Sequence, residues 1–315
     1  MSRNSSHLQP HSARGYTLSV LAAAILSTTA IFIRYLYQSY HIPPLVLALW
    51  RDIFVVVTLL PVLGLFYPQL VRVQRGLLYY LVTYGFVLAL FNAMWTLSVA
   101  LNGAAAATVL VYSSVAFTAL LGRLYLKEYL GGVKILAIIF CLSGCLLVSE
   151  AWKAHSWHAN ITGIVTGILS GLCYSLFSLM GRSASQRGLN PWTTLFYSFL
   201  FATLFLFVFN IIPGGILPGT AGRISGLLWL GSAWEGWGVL FLLGAGPTVG
   251  GFGLFLVSLR HLPASVANLV VSLEPVFTAV IAFFLLGEQL TEMQIAGGVL
   301  ILTAVVCLRG ERSAR

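Results

Sequence analysis

The sequence predicts an all-α integral membrane protein with ten transmembrane helices, arranged as two inverted five-helix repeats around a central cavity. Of its 315 residues, 59% are hydrophobic and 8% are charged, and the mean hydropathy is +0.94, so lipid is the solvent for most of the chain. Ten apolar runs have about the 17 to 25 residues that a helix needs to cross a bilayer. Part of the fourth and fifth runs recurs 160 residues further along.

Mostly short connections join the ten runs, which predicts one compact bundle. The predicted spans are 16–37, 45–66, 77–100, 104–125, 131–149, 161–181, 192–212, 237–259, 263–286 and 291–308. Span one follows a polar segment, but its consecutive alanines lie inside the apolar run, so we interpret it as an uncleaved helix. The predicted domains are a tail (1–15), a first repeat (16–149), an external linker (150–160), a second repeat (161–308) and a tail (309–315).

The positive charges sort by side of the membrane. The formal net charge is +9, from 17 Lys and Arg against 8 Asp and Glu. With a cytoplasmic N-terminus, thirteen basic residues fall on the cytoplasmic side, and the exceptions are Arg34, Arg51, Lys153 and Arg223. The positive-inside rule then predicts a multi-pass protein of the cell (inner) membrane with both termini cytoplasmic. This distribution leaves no concentrated basic patch for a nucleic acid.

Polar residues collect in the middle of several spans. Because transmembrane helices satisfy their own backbone groups, any ligand within the membrane would be recognised by side chains facing a cavity and by helix breaks near mid-membrane. Counting inward at about 1.5 Å per residue places a set of polar or helix-breaking residues in this layer. They are Thr28, Thr29, Tyr112, Ser113, Ser114, Ser170, Tyr174, Gly246, Pro247, Thr248, Ser272 and Glu274.

Span two carries the adjacent charged residues Arg51 and Asp52, several residues inside its predicted external end. The most economical interpretation is a salt bridge, or snorkelling of the long side chain toward the interface. A role for Arg51 as a gate is the alternative.

Span three places Tyr84 and Trp95 on one helical face with Tyr80 and Phe91. Such a face can stack on an amphipathic substrate or cover a cation. The alternative is that these rings belong to the interfacial aromatic belts or simply pack against neighbouring helices. Asn92, in the same span, needs a hydrogen-bond partner because its amide lies within lipid.

Spans six and eight are rich in glycine. Gly163, Gly167 and Gly171 recur every four residues, which predicts a strip for close helix contact. Pro247 lies among the glycines of span eight and predicts a kinked or hinged helix. The four cysteines show neither metal-site clustering nor a disulfide framework, so no metal or cofactor is expected.

Span nine contains Glu274, the only acidic residue deep in any predicted span. An ionisable group there costs about 2.5 to 3.5 kcal/mol on insertion scales, so it should face a cavity or a partner. It either makes an interhelical hydrogen bond or binds substrate or a proton. The neighbouring Pro275 lacks an N–H, which leaves the carbonyl of Val271 without its helical partner and predicts a kink.

An internal repeat links the two halves. Residues 101–148 align without a gap to 261–308 with eleven identities, including a consecutive Phe-Thr-Ala and a Leu-x-Glu-x-Leu beginning at Leu126. Because each half has five spans, an odd number, the second copy must be inverted. The turn that holds Glu128 has basic neighbours, whereas the turn that holds Glu288 has none, as a change of side predicts.

Two segments carry a resemblance to a known family. They are Leu47-Ala48-Leu49-Trp50-Arg51 and the run Glu274-Pro275, Leu286-Gly287-Glu288-Gln289-Leu290-Thr291, Gln294, Gly297-Gly298 and Leu300-Ile301. The run resembles the signature of the EamA-type carriers of the drug/metabolite transporter superfamily, and the first segment is similar to the family's Arg-bearing second helix. The resemblance implies two inverted five-helix halves around a central cavity, with helices five and ten at the periphery. Lys127 departs from it, standing where the family's first repeat usually has glycine.

The chain is similar to the amino-acid exporter branch of that family in its wealth of aromatic residues. We therefore expect a secondary transporter that moves small amphipathic metabolites by alternating access and exports amino acids, aromatic and hydrophobic ones included. Its expected partners are a small-molecule substrate and the lipid bilayer; participation of protons and a monomeric or dimeric state remain open. The candidate substrate-binding residues are Tyr84, Asn92, Trp95, Tyr112, Ser114, Tyr174, Ser272 and Glu274, with Pro247 and Pro275 as hinges.

Three other classes of protein are alternatives to this transporter. A membrane-embedded enzyme fits poorly, because all six histidines lie in tails, connections or span ends and neither HExxH nor paired intramembrane aspartates occur. A channel would need rings of charge or repeated carbonyl loops. A transporter of another metabolite class, such as a drug, a nucleotide-sugar or an organic cation, keeps the same architecture.

Overall fold

The computed structural model describes residues 9–150, 160–212, 218–286 and 289–313, and these ranges contain helices and no strand. The helices are α1 (Gln9–Leu26), α2 (Thr29–Tyr40), α3 (Pro44–Phe66), α4 (Pro68–Val71), α5 (Arg75–Tyr112), α6 (Ser114–Tyr125), α7 (Gly132–Val148), α8 (Ile161–Gln186), α9 (Pro191–Ile211), α10 (Trp234–Leu243), α11 (Val249–Ser258), α12 (Ala264–Val271), α13 (Glu274–Leu286) and α14 (Glu292–Ser313). Most of the predicted linker and the turn at Gly287 and Glu288 lie outside the described residues.

All ten predicted spans have helical counterparts. Within the described ranges, nine helical stretches are long and apolar enough to cross a membrane, and Gly132–Val148 adds an apolar helix of 17 residues. Several spans are composite: α1 and α2 form span one, α10 and α11 form span eight, and α12 and α13 form span nine. The prediction of an all-α protein with ten apolar spans is confirmed.

The boundary between spans three and four is a single residue within α5. Gly103 has φ 82° and ψ 161°, a backbone conformation that is essentially restricted to glycine. Helical structure resumes directly after it and continues to Tyr112, where α6 completes span four. The chain therefore changes direction without a loop.

Four spans are interrupted near their middle, and Ser or Thr side chains stabilise the interruptions. Ser27, Thr28, Ser113 and Ser272 each donate a hydroxyl hydrogen bond to the carbonyl three residues earlier, over 2.5 to 2.7 Å. In span eight, Thr248 donates to a carbonyl five residues earlier across the π-helical turn Gly244–Thr248. These bonds satisfy carbonyls that lipid could not.

The equivalent spans of the two repeats run antiparallel at their contact. Near mid-span, Tyr112 of span four meets Glu274 of span nine, whereas at the end of span four Glu128 meets Ala264 at the start of span nine. Residue numbers thus rise along one span as they fall along the other, as an inverted repeat requires. The break at Ser113 in span four also corresponds to the break in span nine.

The fifth span of each repeat lies at the periphery. α7 and α14 pack mainly on each other, with the backbones touching at two glycines: a Cβ on Gly144 would lie 2.6 Å from the carbonyl oxygen of Gly297. Apolar side chains of both helices, such as Ile135 and Val299, are exposed where lipid would cover them. This arrangement matches what the family resemblance implies.

The glycine strip of span six makes the predicted close contact. α8 packs along α5, where added Cβ atoms on Gly163 and Gly167 would come within 2.8 Å of Leu101 and Leu110 side-chain carbons. Only glycine permits backbones to approach this closely. The strip holds spans three and four against span six and so fixes one wall of the central cavity.

Candidate functional site

A cavity of about 90 Å³ lies at the centre of the bundle, where the broken helices end and begin. Ligand pockets commonly measure about 300 to 1,000 Å³, so the conformation described is contracted. The polar residues on its wall are Thr29, Arg51, Thr108, Tyr112, Ser114, Tyr174 and Glu274, and the apolar residues are Leu26, Phe91, Trp95, Val111, Phe252 and Val271. Both repeats contribute to this wall.

Glu274 is the first residue of α13 and brings a carboxylate to the cavity. The break in span nine creates a helix N-terminus at mid-span, and helix N-termini favour nearby negative charge. Tyr112 of the first repeat donates its hydroxyl to Oε2 over 3.2 Å. The carboxylate is therefore held between the repeats, and its bond to Tyr112 is an interhelical hydrogen bond of the kind the sequence predicts as one alternative.

Arg51, Asp52 and Asn92 form a buried polar cluster beside the cavity. The guanidinium of Arg51 donates from Nε and Nη2 to Oδ1 of Asp52, over 3.2 and 3.1 Å, and the two side chains are 5% and 0% exposed. The amide of Asn92 donates to Oδ2 over 2.8 Å. The salt-bridge interpretation is confirmed, and Asn92 has the partner that its position in lipid requires. Arg51 also reaches the cavity wall.

Two hydroxyl groups on the cavity wall have no hydrogen-bond partner in the described part of the chain. They belong to Thr29 of α2 and Ser114 of α6, and Ser114 is fully buried. Buried polar groups are nearly always hydrogen-bonded, because leaving one unpaired costs about 1 to 3 kcal/mol. The cavity therefore offers unused hydrogen-bonding capacity to an occupant.

Aromatic rings form the other face of the cavity. Phe91 and Trp95 of α5, Tyr174 of α8 and Phe252 of α11 contribute to the wall. Phe91 and Tyr174 lie 5.1 Å apart between ring centroids. The cavity thus combines charged and hydroxyl groups with large apolar surfaces, a mixture that suits an amphipathic molecule.

A column of aromatic rings runs from the cavity toward the end of the bundle that holds Glu128. Tyr174 stacks on Phe177 at 6.2 Å, Phe177 on Tyr84 at 4.8 Å, and Tyr84 lies 6.3 Å from Tyr80. Tyr84 and Phe177 are fully buried. The column packs the bundle with aromatic side chains between the cavity and this end.

Five of the eight candidate residues from the sequence meet at the cavity: Trp95, Tyr112, Ser114, Tyr174 and Glu274. They come from four helices of both repeats, which the mid-span layer alone could not reveal. The substrate-binding role of each stays a prediction.

The other three candidates lie outside the cavity wall. Tyr84 belongs to the aromatic column, and Asn92 is occupied with Asp52. Ser272 donates to a carbonyl of its own helix, and its oxygen lies 2.8 Å from the sulfur of Cys141. In this conformation these residues support the site without facing it.

The proposed hinges lie at helix interruptions. Pro247 is inside the π-helical turn between α10 and α11, and Pro275 is in the first turn of α13, where its missing N–H costs no helical bond. The break in span nine therefore falls before Pro275. Whether the helices bend at these points stays a prediction.

Sequence reasoning left several wall residues out of the candidate set. The sequence marks Thr29 as a mid-span polar residue and Arg51 as part of a charged pair, with a gate as the alternative. Phe91 shares the helical face of Trp95 and could have been included on that signal. Phe252 lies in a uniformly apolar segment, where no signal in the sequence separates a wall residue from one that faces lipid.

Two antiparallel copies of one helical unit, meeting at broken helices around buried charges, define a class of multi-pass membrane transporters built from inverted repeats. The chain belongs to the EamA-like transporter family, whose model matches residues 13–150 and again 161–310. This double match covers most of the chain and places one copy of the family unit in each half. The membership also confirms the resemblance to the drug/metabolite transporter superfamily.

Relatives of the chain are described as uncharacterized transporters. One from Archaeoglobus fulgidus is 27% identical over 150 residues, which is 47% of this chain and 48% of that protein, so the match spans about half of each. One from Synechocystis is 25% identical over 244 residues, covering 76% of this chain and 69% of the relative. One from Bacillus subtilis is 24% identical over 225 residues, covering 70% and 69%.

A solved crystal structure shares the fold. It superimposes with a TM-score of 0.74 at 13% sequence identity, over 94% of this chain and 96% of that one. The likeness extends across both repeats and supports the arrangement of helices described above.

Proposed function

We propose that the protein is a secondary transporter that moves small amphipathic metabolites by alternating access and exports amino acids, aromatic and hydrophobic ones included. The observation that carries this proposal is the cavity at the meeting point of the two repeats. There, Glu274 and Arg51 bring opposite charges to one wall, while Trp95 and Tyr174 bring aromatic surface to the same space.

The polar groups of the cavity support a substrate with a charged head. Glu274 has a hydrogen bond from Tyr112, and the hydroxyls of Thr29 and Ser114 remain without partners among the described residues. A substrate that carries donors and acceptors recovers the hydrogen-bonding energy that these groups forgo in its absence. A purely apolar substrate would leave them unpaired.

The helix interruptions support alternating access. Spans four and nine are broken at corresponding positions, and the breaks lie at the contact between the repeats. Rocking one repeat against the other around such a site opens it to each side in turn. The aromatic column from Tyr80 to Tyr174 and the contact of Glu128 with Ala264 close one end; the exchanged state opens that end and closes the other.

We propose Glu274 as the residue that binds a proton moved with the substrate. Glu274 is the acidic group on the cavity wall, and a carboxyl there can bind a proton in one state and a substrate ammonium in another. Replacing Glu274 with Gln removes the exchangeable proton while keeping the shape, which makes the variant a direct probe of this role.

Counterflow in proteoliposomes tests the proposed function. Vesicles are loaded with an unlabelled compound, and entry of the labelled compound is followed for amino acids, sugars and organic cations. Amino acids, aromatic ones above all, are expected to exchange. Trp95→Ala should slow exchange of aromatic amino acids more than that of small ones, because only the former lose ring contacts.

Each rival function predicts a different outcome of the same assay. Exchange confined to sugars or organic cations would keep the carrier and replace its substrate class. Chemical change of a compound without any flux would favour a membrane-embedded enzyme. An equal effect of Trp95→Ala on all amino acids would remove the aromatic contact from the account.

We place the protein in the cell (inner) membrane with both termini cytoplasmic. The support is the charge distribution, with thirteen basic residues on the side of the N-terminus and four on the other. Tags inserted near residues 128 and 288 test the orientation, since the first should be accessible from the cytoplasm and the second from outside. Access to both from one side would contradict it.

A further inference from the structure

Arg51, in the first half of α3, is one of the residues that line the central cavity. It is the eighth residue of the helix, so at about 1.5 Å per residue it lies roughly 10 Å from the helix start. The residue is 4% exposed. A charge this deep in a span is expensive and tends to be retained where it contacts a partner or a substrate.

The charge of Asp52 balances that of Arg51, but Asp52 does not accept hydrogen bonds from every nitrogen of the guanidinium. Both hydrogen bonds of the guanidinium, from Nε and from Nη2, go to the single oxygen Oδ1, while Oδ2 accepts from Asn92. Neither of these hydrogen bonds with Asp52 involves Nη1. Asp52 and Asn92 therefore fix the plane of the guanidinium and leave one of its edges available, a geometry suited to a second carboxylate.

Arg51 and Glu274 line the same cavity without forming an ion pair. Each has its own neutral or charged partner, Tyr112 for Glu274 and Asp52 for Arg51, and no contact within 4.0 Å joins the two. The hydroxyl of Ser114, which has no partner among the residues that the structure describes, lies on the same wall. Opposite charges held apart around a polar space match a molecule that carries both charges itself.

We propose that Arg51 is the subsite for the carboxylate group of a zwitterionic substrate, whose ammonium group is received by Glu274. This inference rests on the proposed function and assigns the two charged ends of its substrate. A carboxylate at Arg51 gains charge-assisted hydrogen bonds from a donor that is already oriented, so little ordering is needed on binding.

The arrangement discriminates against molecules with one charge. An amine that lacks the carboxylate satisfies Glu274 but leaves the remaining edge of Arg51 without an acceptor. A carboxamide offers Arg51 a neutral acceptor in place of a charged one. Sites built around such a buried donor reject analogues that cannot pair with it.

The test is a comparison of three matched compounds: an aromatic amino acid, its carboxamide and its decarboxylated amine. Their exchange rates are measured by competition in the counterflow assay. The wild type is expected to prefer the amino acid over the amine by roughly tenfold or more.

The informative variant is Arg51→Gln combined with Asp52→Asn. Arg51→Gln alone leaves Asp52 buried without its cation and is expected to destabilise the fold, whereas the double variant removes both charges and keeps similar shapes. It should carry the amine and the amino acid at similar rates. Arg260→Gln removes a positive charge from an exposed position and should keep the wild-type preference.

The outcomes separate this inference from the function on which it rests. Loss of the preference in the double variant, together with its retention in Arg260→Gln, supports the subsite. A folded double variant that still prefers the amino acid overturns it and leaves the amino-acid carrier intact. A wild type that exchanges none of the three compounds overturns the proposed function as well.

Discussion

Replacing Glu128 with Gln should loosen the contact between the two repeats at one end of the bundle. The carboxylate accepts a hydrogen bond from the N–H of Ala264 over 2.7 Å and another from the N–H of Ser265 over 3.3 Å, and it also receives the Ser265 hydroxyl. The Nζ atom of Lys134 lies 3.7 Å from Oε2 of Glu128. A side chain from the first repeat thus caps the N-terminus of α12 in the second.

The expected loss follows from these contacts. Gln keeps an acceptor for Ala264 but replaces the second carboxylate oxygen with an NH₂ group, which cannot accept from Ser265. A hydrogen bond to a charged group contributes about 1.5 to 3 kcal/mol, and loss of an N-cap costs about 0.5 to 2 kcal/mol. Because the Glu128 side chain is only 7% exposed, solvent replaces little of this energy. We expect a loss of about 2 kcal/mol.

Thermal unfolding in detergent, followed by tryptophan fluorescence, measures the effect. A loss of this size lowers the unfolding midpoint by about 3 °C for a chain of this length. Glu292→Gln is the matched control, because Glu292 is exposed at the start of α14. Ser265→Ala should weaken the same contact, so combining it with Glu128→Gln should cost less than the sum of the two. A Glu128→Gln midpoint equal to that of Glu292→Gln would refute the capping argument.

Three further predictions concern the site, the aromatic column and the helix contact at the periphery. Glu274→Gln should slow transport and alter its pH dependence; no change in either would reduce Glu274 to a structural role. Tyr84→Phe should leave transport unchanged and keep or raise the unfolding midpoint, because the buried hydroxyl has no partner among the described residues, and a large loss of transport would place this hydroxyl in the site. Gly144→Leu should cost about 1 to 3 kcal/mol or more in the unfolding assay, since the side chain meets Gly297, whereas Gly64→Leu enters open space and should cost much less.

The fold could be predicted from the sequence because lipid imposes a simple rule. Apolar runs of sufficient length must form spans, and an odd number of spans per repeat requires inversion. The pairing of equivalent spans follows from the repeat itself, as the contact of Glu128 with Ala264 illustrates. The single-residue turn at Gly103 is harder to predict from the sequence, because its φ of 82° is evident only from the backbone.

The site could be predicted in part. Glu274 and Tyr112 can be predicted because polar groups in mid-span stand out against an apolar background. Tyr84 shares a helical face with Trp95, but the two residues are separated by three helical turns, and the structure places Tyr84 in the aromatic column. Residues on one helical face point in the same direction but lie at different depths in the membrane. A shared face therefore does not show which aromatic residue reaches the cavity.

For the buried cluster of Arg51, Asp52 and Asn92, the sequence predicts one contact but not the position of the cluster. The adjacency of Arg51 and Asp52 predicts their pairing, yet it does not predict that Arg51 also faces the cavity or that Asn92 completes the cluster. Both facts depend on how α3 and α5 pack together. Such packing is decided by many small side-chain contacts, which a single sequence does not resolve.

The central claim is that the cavity is a substrate site opened to each side in turn, and side-specific blocking of a Thr29→Cys variant tests it most directly. Thr29 lines the cavity, and cysteine is close to threonine in size, so the variant should retain enough exchange for its block to be measured. The wild type, treated identically, controls for the native cysteines. The account predicts that a membrane-impermeant thiol reagent blocks exchange from either side and that saturating substrate slows the block. Blocking from one side alone, with no protection by substrate, would contradict it.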